Sequence, residues 1–153
     1  MLLLIAAVIA VTAGTAQAAA DGSPAPLSTD EERAVALVNA DRAAQGLPPL
    51  AVNMTLVALA RDYAQDMIDR RFAAHTSPDG ETFEGRLARY GVTYLTAGEN
   101  LAKNVSVDEA TRALMNSPGH RANILSSSFT EVGIGVCLDA KGAMYVVQEF
   151  VGR

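Results

Sequence analysis

The chain has 153 residues, a net charge of −5 and 50% apolar residues. That length suits one ordinary domain, which can bury most of its unfolded surface without covalent staples. An acidic chain with scattered Arg and Lys has no basic stripe for phosphates, which excludes nucleic acid as a natural partner, and the lone Cys137 excludes an internal disulfide.

Residues 1–20 carry no charge, with an apolar block from Leu2 to Val11 and small residues ending Ala16-Gln-Ala-Ala-Ala20. An apolar core of about ten residues before an A-x-A site predicts a cleavable secretory signal. Cleavage near Ala18 to Ala20 and a secreted or periplasmic domain follow. No Lys or Arg precedes the block, a departure from the usual pattern. Thr12, Gly14, Thr15 and Gln17 interrupt the stretch, so stable membrane insertion is not expected. Residues 21–28, with Pro24 and Pro26, read as a linker and 29–153 as the domain.

Ser28-Thr-Asp-Glu31 has capping-box spacing, so a helix should run to about Gln45 with Val35, Leu37 and Val38 inward and Gly46 ending it. Leu47-Pro-Pro-Leu50 is an extended connection. Asn53 caps a second helix to about Arg71, whose stripe Leu56, Leu59, Ala60, Tyr63 and Met67 faces the core. A third helix spans Thr82 to Tyr90, and residues 91–103 read as irregular. Ser106 opens a helix to about Met115, and Ser117-Pro118 restarts a helical turn. Residues 131–138 alternate Val132, Ile134, Val136 and Leu138 with Gly133 and Gly135, and pair with 143–150 across the turn Asp139-Ala-Lys-Gly142. Helices first and strands later predict an α+β fold.

Both histidines of the chain lie in turns, His75 in Phe72-Ala-Ala-His-Thr-Ser-Pro-Asp-Gly80 and His120 in Asn116-Ser-Pro-Gly-His-Arg-Ala-Asn-Ile-Leu125. Between them Ala97-Gly-Glu-Asn100 places an acid, Glu99, in a third loop. Two imidazoles beside a carboxylate suit a divalent metal or proton transfer, whereas each alone suits a hydrogen bond to its own turn. Ser77 and Ser117 lie in no Gly-x-Ser-x-Gly elbow and read as turn and cap residues. Arg121, Asn123 and Asn100 read as ties between turn and helix. Cys137, inside an apolar run, reads as an inert buried thiol.

The strings Phe72-x-x-His75-x-Ser-Pro-Asp-Gly80, Gly98-Glu-Asn-Leu101, Asn116-Ser-Pro-Gly-His-Arg-Ala-Asn-Ile-Leu125 and Phe129-Thr-Glu-Val-Gly-Ile-Gly135 occur in that order. Together they resemble the bacterial secreted branch of the CAP superfamily, the SCP-like domains, over about Thr29 to Phe150. The resemblance implies a three-layer α–β–α sandwich with an antiparallel sheet, and an open cleft where His75, Glu99 and His120 converge. A fourth residue of the family pattern, a Glu shortly before the second His, is missing from Arg112-Ala-Leu-Met-Asn116. Glu131 or Glu149 of the hairpin is a substitute, with Glu131 equally suited to anchoring the loop before its strand.

These readings predict a monomeric binding module. Its cleft would hold a labile Zn or other divalent metal on His75 and His120, and a small or cell-envelope ligand near Glu99 and Glu131, without strong catalysis. The alternative is a metal-assisted hydrolase of peptide or envelope substrates with Glu99 as general base. A structural role, with the three residues only stabilising the fold, ranks behind both.

Overall fold

The computed structural model describes residues 25–153, so the expected signal and the first half of the linker lie outside the described residues. Helix α1 (Thr29–Ala43) opens with the expected box: Ser28 accepts from the Glu31 amide, and Glu31 accepts the Ser28 amide at 2.8 Å. Its inward face is Ala34, Val38 and Arg42, while Val35 and Leu37 are only half-buried, a rotation from the face expected. Arg42 is the reason. Buried among main-chain oxygens, it donates to the carbonyls of Pro48, Ile124 and Ser126, which turns its whole face toward the core.

The extended connection after α1 ends in a short strand, β1 (Ala51–Val52), before Asn53 caps α2 (Met54–Asp69). Then come α3 (Phe83–Arg89), β2 (Thr96–Asn104), α4 (Val107–Met115) and α5 (Pro118–Ile124). The hairpin β3 (Glu131–Leu138) and β4 (Met144–Gly152) completes the chain. Strand β2 takes up residues 96–104, so the irregular segment expected at 91–103 is limited to 91–95.

The sheet order is β1-β3-β4-β2. It is mixed rather than purely antiparallel, because β1 joins β3 in parallel through Ala51↔Glu131 and Val52↔Val132. The three-layer sandwich itself is as expected. One sheet face, with Val132, Ile134, Val146 and Phe150, packs on α1, α4 and α5. The other, with Tyr145, Val147 and Val151, packs on α2 and α3.

Helix α2 lies directly on the backbone of β3. A methyl at Gly133 would sit 2.3 Å from Leu56, and one at Gly135 would sit 2.3 Å from the Arg61 amide nitrogen. Glycine at these two positions allows the close approach of helix and strand. That approach also fixes where the end of α2, and the loop bearing His75, meet the sheet.

Candidate functional site

The His75 loop is held from three sides. Tyr63 of α2 donates its hydroxyl to the Ala74 carbonyl. The following turn closes through Ser77, whose amide bonds the Glu81 carbonyl at 3.0 Å and whose hydroxyl donates to Asp79 at 2.6 Å. That hydroxyl and Arg70 hold the Asp79 carboxyl down to about 2. Ser77 is thereby a turn residue, occupied by its own loop.

The third hold is Arg86 of α3. Its guanidinium donates to the His75 carbonyl at 3.1 Å and to Glu99 Oε2 at 2.6 Å, and lies 3.3 Å from the centre of the Tyr63 ring. Both side chains of this pair are almost wholly buried, Arg86 at 1% and Glu99 at 2% exposure. The other oxygen of Glu99 is 2.7 Å from His75 Nδ1. An ionised carboxylate can only accept, so in the neutral ring the proton sits on Nδ1 and the lone pair on Nε2. The imidazole itself is 57% exposed.

Glu99 sits on β2, directly opposite Glu149 of β4. Glu149 is fully buried, and neither carboxyl oxygen has a hydrogen-bond partner among the described residues. Burial, and then the neighbouring Glu99 charge, push this carboxyl well above the usual carboxylate range. With the Arg86 guanidinium bonded to Glu99, the two facing carboxyls do not both ionise, and the proton stays on Glu149.

His120 lies in the first turn of α5, half-buried. Burial, and then proximity to His75, lower its pKa and favour the neutral ring. Its carbonyl accepts from Asn100 at 3.1 Å. Asn123, from the same helix, donates to the Glu99 carbonyl at 3.2 Å and to Asn100 Oδ1 at 2.9 Å. Asn100 and Asn123 thus tie β2 to α5, the tie read from the sequence; among the described residues Arg121 makes no such side-chain hydrogen bond or ion pair. Gly98 makes the approach possible, since a methyl there would meet Asn123 Oδ1 at 3.0 Å.

His75 and His120 line one cavity of about 220 Å³ together with Met67, Leu101 and Tyr145. Glu99 does not line it. It stands behind His75, bordering a separate 330 Å³ hollow with Thr82 and Phe83. Among the described residues no three His, Cys, Asp or Glu side chains are arranged to hold a metal ion. The convergence expected of the three residues is therefore a sequence of contacts: Glu99 grips His75, and His75 faces His120 across the cavity wall.

Glu131 is not a cleft residue. At the start of β3 it accepts from Asn53, the cap of α2, and pairs with Arg153 at 2.7 Å, and it lines neither of the cavities that His75 borders. The anchoring role applies. Cys137 is half-buried with its thiol against the Arg61 carbonyl at 3.7 Å, and burial pushes its pKa up. Arg86 was not anticipated, and Glu149, read as a candidate substitute for the missing acid, is a buried carboxyl facing Glu99 rather than a cavity-lining residue. Their signals were an arginine one residue before the buried Leu87 and a Gln-Glu pair inside an otherwise apolar strand.

Residues 35–150 match the family model of CAP, the cysteine-rich secretory protein family. The chain belongs to the CAP family. YkwD of Bacillus subtilis is 41% identical over 133 residues, covering 86% of this chain and 50% of that protein. A crystal structure of an extracellular protein containing an SCP domain from Bacillus anthracis superposes with a TM-score of 0.75 at 30% identity, covering 84% of this chain and 45% of that one. The CAP domain described here thus spans about half the length of both relatives. A crystal structure of NaASP2 with Zn²⁺ shares the fold at a TM-score of 0.57 and 13% identity, covering 80% of each chain. Despite the family's description, this CAP domain has a single cysteine and takes its stability from the core.

Proposed function

We propose that this CAP domain is an extracytoplasmic binding module that holds a divalent cation on His75 and His120 and takes a small or cell-envelope ligand beside it. One observation carries the reading: both imidazoles line one cavity, and a buried carboxylate on Nδ1 of His75 turns its Nε2 lone pair into a ligand. The donor set fits a borderline cation such as Zn²⁺, since both rings suit coordination in their neutral form and His120 is held toward it. Two protein ligands are fewer than the three or four of firm zinc sites, so the remaining positions fall to water or ligand atoms. Bound there, the cation supplies a Lewis-acid contact for an oxygen of the ligand.

Catalysis by Glu99 as general base is disfavoured, because each of its oxygens is already engaged, by Arg86 and by His75. Its role here is to orient His75. An extracytoplasmic setting is supported by the uncharged apolar stretch at residues 1–20 and by the extracellular description of the Bacillus anthracis relative. No helix of the described residues is long and apolar enough to cross a membrane.

Calorimetric titration of the domain with zinc tests the reading. The expected result is stoichiometric binding that is lost in the His75→Ala/His120→Ala variant while its thermal melt stays cooperative. Absence of binding, or undiminished binding in the double variant, would overturn it.

A further inference from the structure

A cavity larger than the one between the histidines opens beside it. This groove of about 810 Å³ lies between the end of α2 and the β3–β4 turn, and the two share Ala73, Lys103 and Tyr145. That volume lies within the range of ligand sites, ~300–1,000 Å³. Its floor is apolar, with Ile68, Phe72 and Tyr145, and its rim carries three cations, Arg71, Lys103 and Lys141. Gathering three cations is unexpected in a chain of net charge −5.

The two acids of the groove neutralise only part of the rim, since Asp139 pairs with Lys103 and neither acid pairs with Arg71 or Lys141. Asp69 accepts from Gln65 at 2.7 Å. Asp139 accepts the amides of Lys141 and Ala143, both at 2.9 Å, and stands 3.4 Å from Lys103. Among the described residues no carboxylate lies within ion-pairing distance of Arg71 or of the Lys141 ammonium. Lys103 is held in place, donating to the Tyr145 hydroxyl at 2.7 Å.

Arg71 adds an observation of a different kind. Helix α2 ends in a Schellman arrangement, the Phe72 amide bonding the Met67 carbonyl at 3.0 Å and the Arg71 amide bonding that of Ile68 at 3.3 Å. The residue between is left-handed, φ +57°, and is the one non-glycine residue with positive φ among those described. Glycine occupies that position at no steric cost. An arginine there strains the backbone and delivers a guanidinium to the groove, the pattern of strain held at a binding site.

The third observation concerns the edge of the sheet. β2 is the last strand in the order, and no described strand lies beyond it. α5 ties down its first half through Asn123, whereas Leu101, Ala102 and Lys103 line the histidine cavity. An extended backbone laid along that edge finds main-chain partners, and its alternate side chains point into the groove.

We propose that this groove is a binding site for an extended acidic peptide, whose carboxylates meet Arg71, Lys103 and Lys141 while its backbone follows the second half of β2 toward the histidines. Arg71 supplies a planar fork suited to a carboxylate, and the lysines supply point charges. The site does not depend on a cation at His75 and His120.

Fluorescence anisotropy tests it, using a labelled short peptide that alternates Glu and Val, its Gln counterpart, and oligogalacturonate as an acidic sugar. Binding of the Glu peptide is expected at low salt with EDTA present, weakening as salt rises, with the Gln peptide not bound. Arg71→Gly should weaken it about tenfold and yet raise the melting temperature. Arg71→Gly with Lys103→Gln and Lys141→Gln should abolish it. Arg33→Gln/Arg112→Gln, which removes two cations from α1 and α4 on the opposite face, should leave it unchanged. No binding of the Glu peptide, equal weakening in the Arg33/Arg112 control, or preference for oligogalacturonate would each overturn the proposal. So would an Arg71→Gly variant that melts lower and binds the peptide as well as before.

Discussion

Glu99 and Glu149 face each other across β2 and β4, in register, on the sheet side covered by α2 and α3. One is ion-paired with Arg86 and bonded to His75; the other is fully buried, and among the described residues neither of its oxygens has a hydrogen-bond partner. The asymmetry decides which carboxyl is charged. Glu99 has a guanidinium at 2.6 Å to offset its burial, whereas Glu149 is left to stay protonated. The orientation of His75 therefore rests on a carboxylate whose own neighbour is a neutral acid.

Glu149 makes stability depend on pH in a direction opposite to ordinary ion-paired carboxylates. Its folded pKa is raised above the usual 4.5, so its contribution is fully present below that value and is lost as pH rises toward the folded pKa. The Glu149→Gln variant keeps shape and a hydrogen-bonding amide without the titration. Thermal melts from acid to alkaline pH should show the native chain losing stability relative to this variant as pH rises. Parallel curves at every pH would refute the assignment of the proton.

Much of the fold was legible because helix caps and periodicities are local. Ser28, Asn53 and Ser106 each cap the helix read from them, and the hairpin follows from the alternation over 131–138 and the turn after it. β2 was not legible. Thr96-Ala-Gly-Glu-Asn-Leu-Ala-Lys-Asn104 holds residues depleted in strands, and its extended form is imposed by nine register pairs with β4. β1 escaped for a similar reason, since two residues carry no period. At the site, the turns gave the histidines and Glu99, but Arg86 was hidden inside a helix whose apolar residues set its reading. Only the third dimension brings its guanidinium to Glu99.

Charge and volume at Glu99 should separate cleanly. Glu99→Ala leaves the buried Arg86 guanidinium without its anion and should cost about 3–5 kcal/mol in urea unfolding. Glu99→Gln retains an acceptor for one of its two donors and should fold, with zinc affinity lowered by roughly 10–100-fold through the loss of the carboxylate behind His75. Zinc affinity equal to that of the native chain would remove Glu99 from the site.

The contact of α2 with β3 should tolerate no side chain at all. Gly133→Ala and Gly135→Ala each place a methyl 2.3 Å from helix backbone or from Leu56, where no flexible group can move aside. Displacing α2 disturbs Leu56, Leu59 and Ala60 in the core, so each substitution should cost about 3 kcal/mol or more by chemical denaturation. Because α2 carries the loop of His75, a variant that still folds should also bind zinc more weakly. Unchanged stability would mean that the helix approaches the sheet less closely than described.

Glu31 offers an independent test of burial against charge. It caps α1, accepts from Arg61 at 2.6 and 2.8 Å, and through Arg61 connects to the carbonyls of Ala25 and Pro26 in the linker. Burial alone would raise its pKa, yet Arg61 and Ser28 outweigh that and hold it below 4.5. Its contribution is therefore present above the usual carboxylate value and is lost as pH falls through the depressed one, the reverse of Glu149. Removing it takes away half a capping box and the anion of a largely buried pair, so Glu31→Ala should cost about 2–4 kcal/mol at neutral pH. The deficit should shrink as the native chain is acidified, and proteolysis at the linker should quicken once the Ala25 and Pro26 carbonyls lose a fixed Arg61. A deficit that stays constant down to strongly acid pH would show that Glu31 acts through packing rather than through its charge.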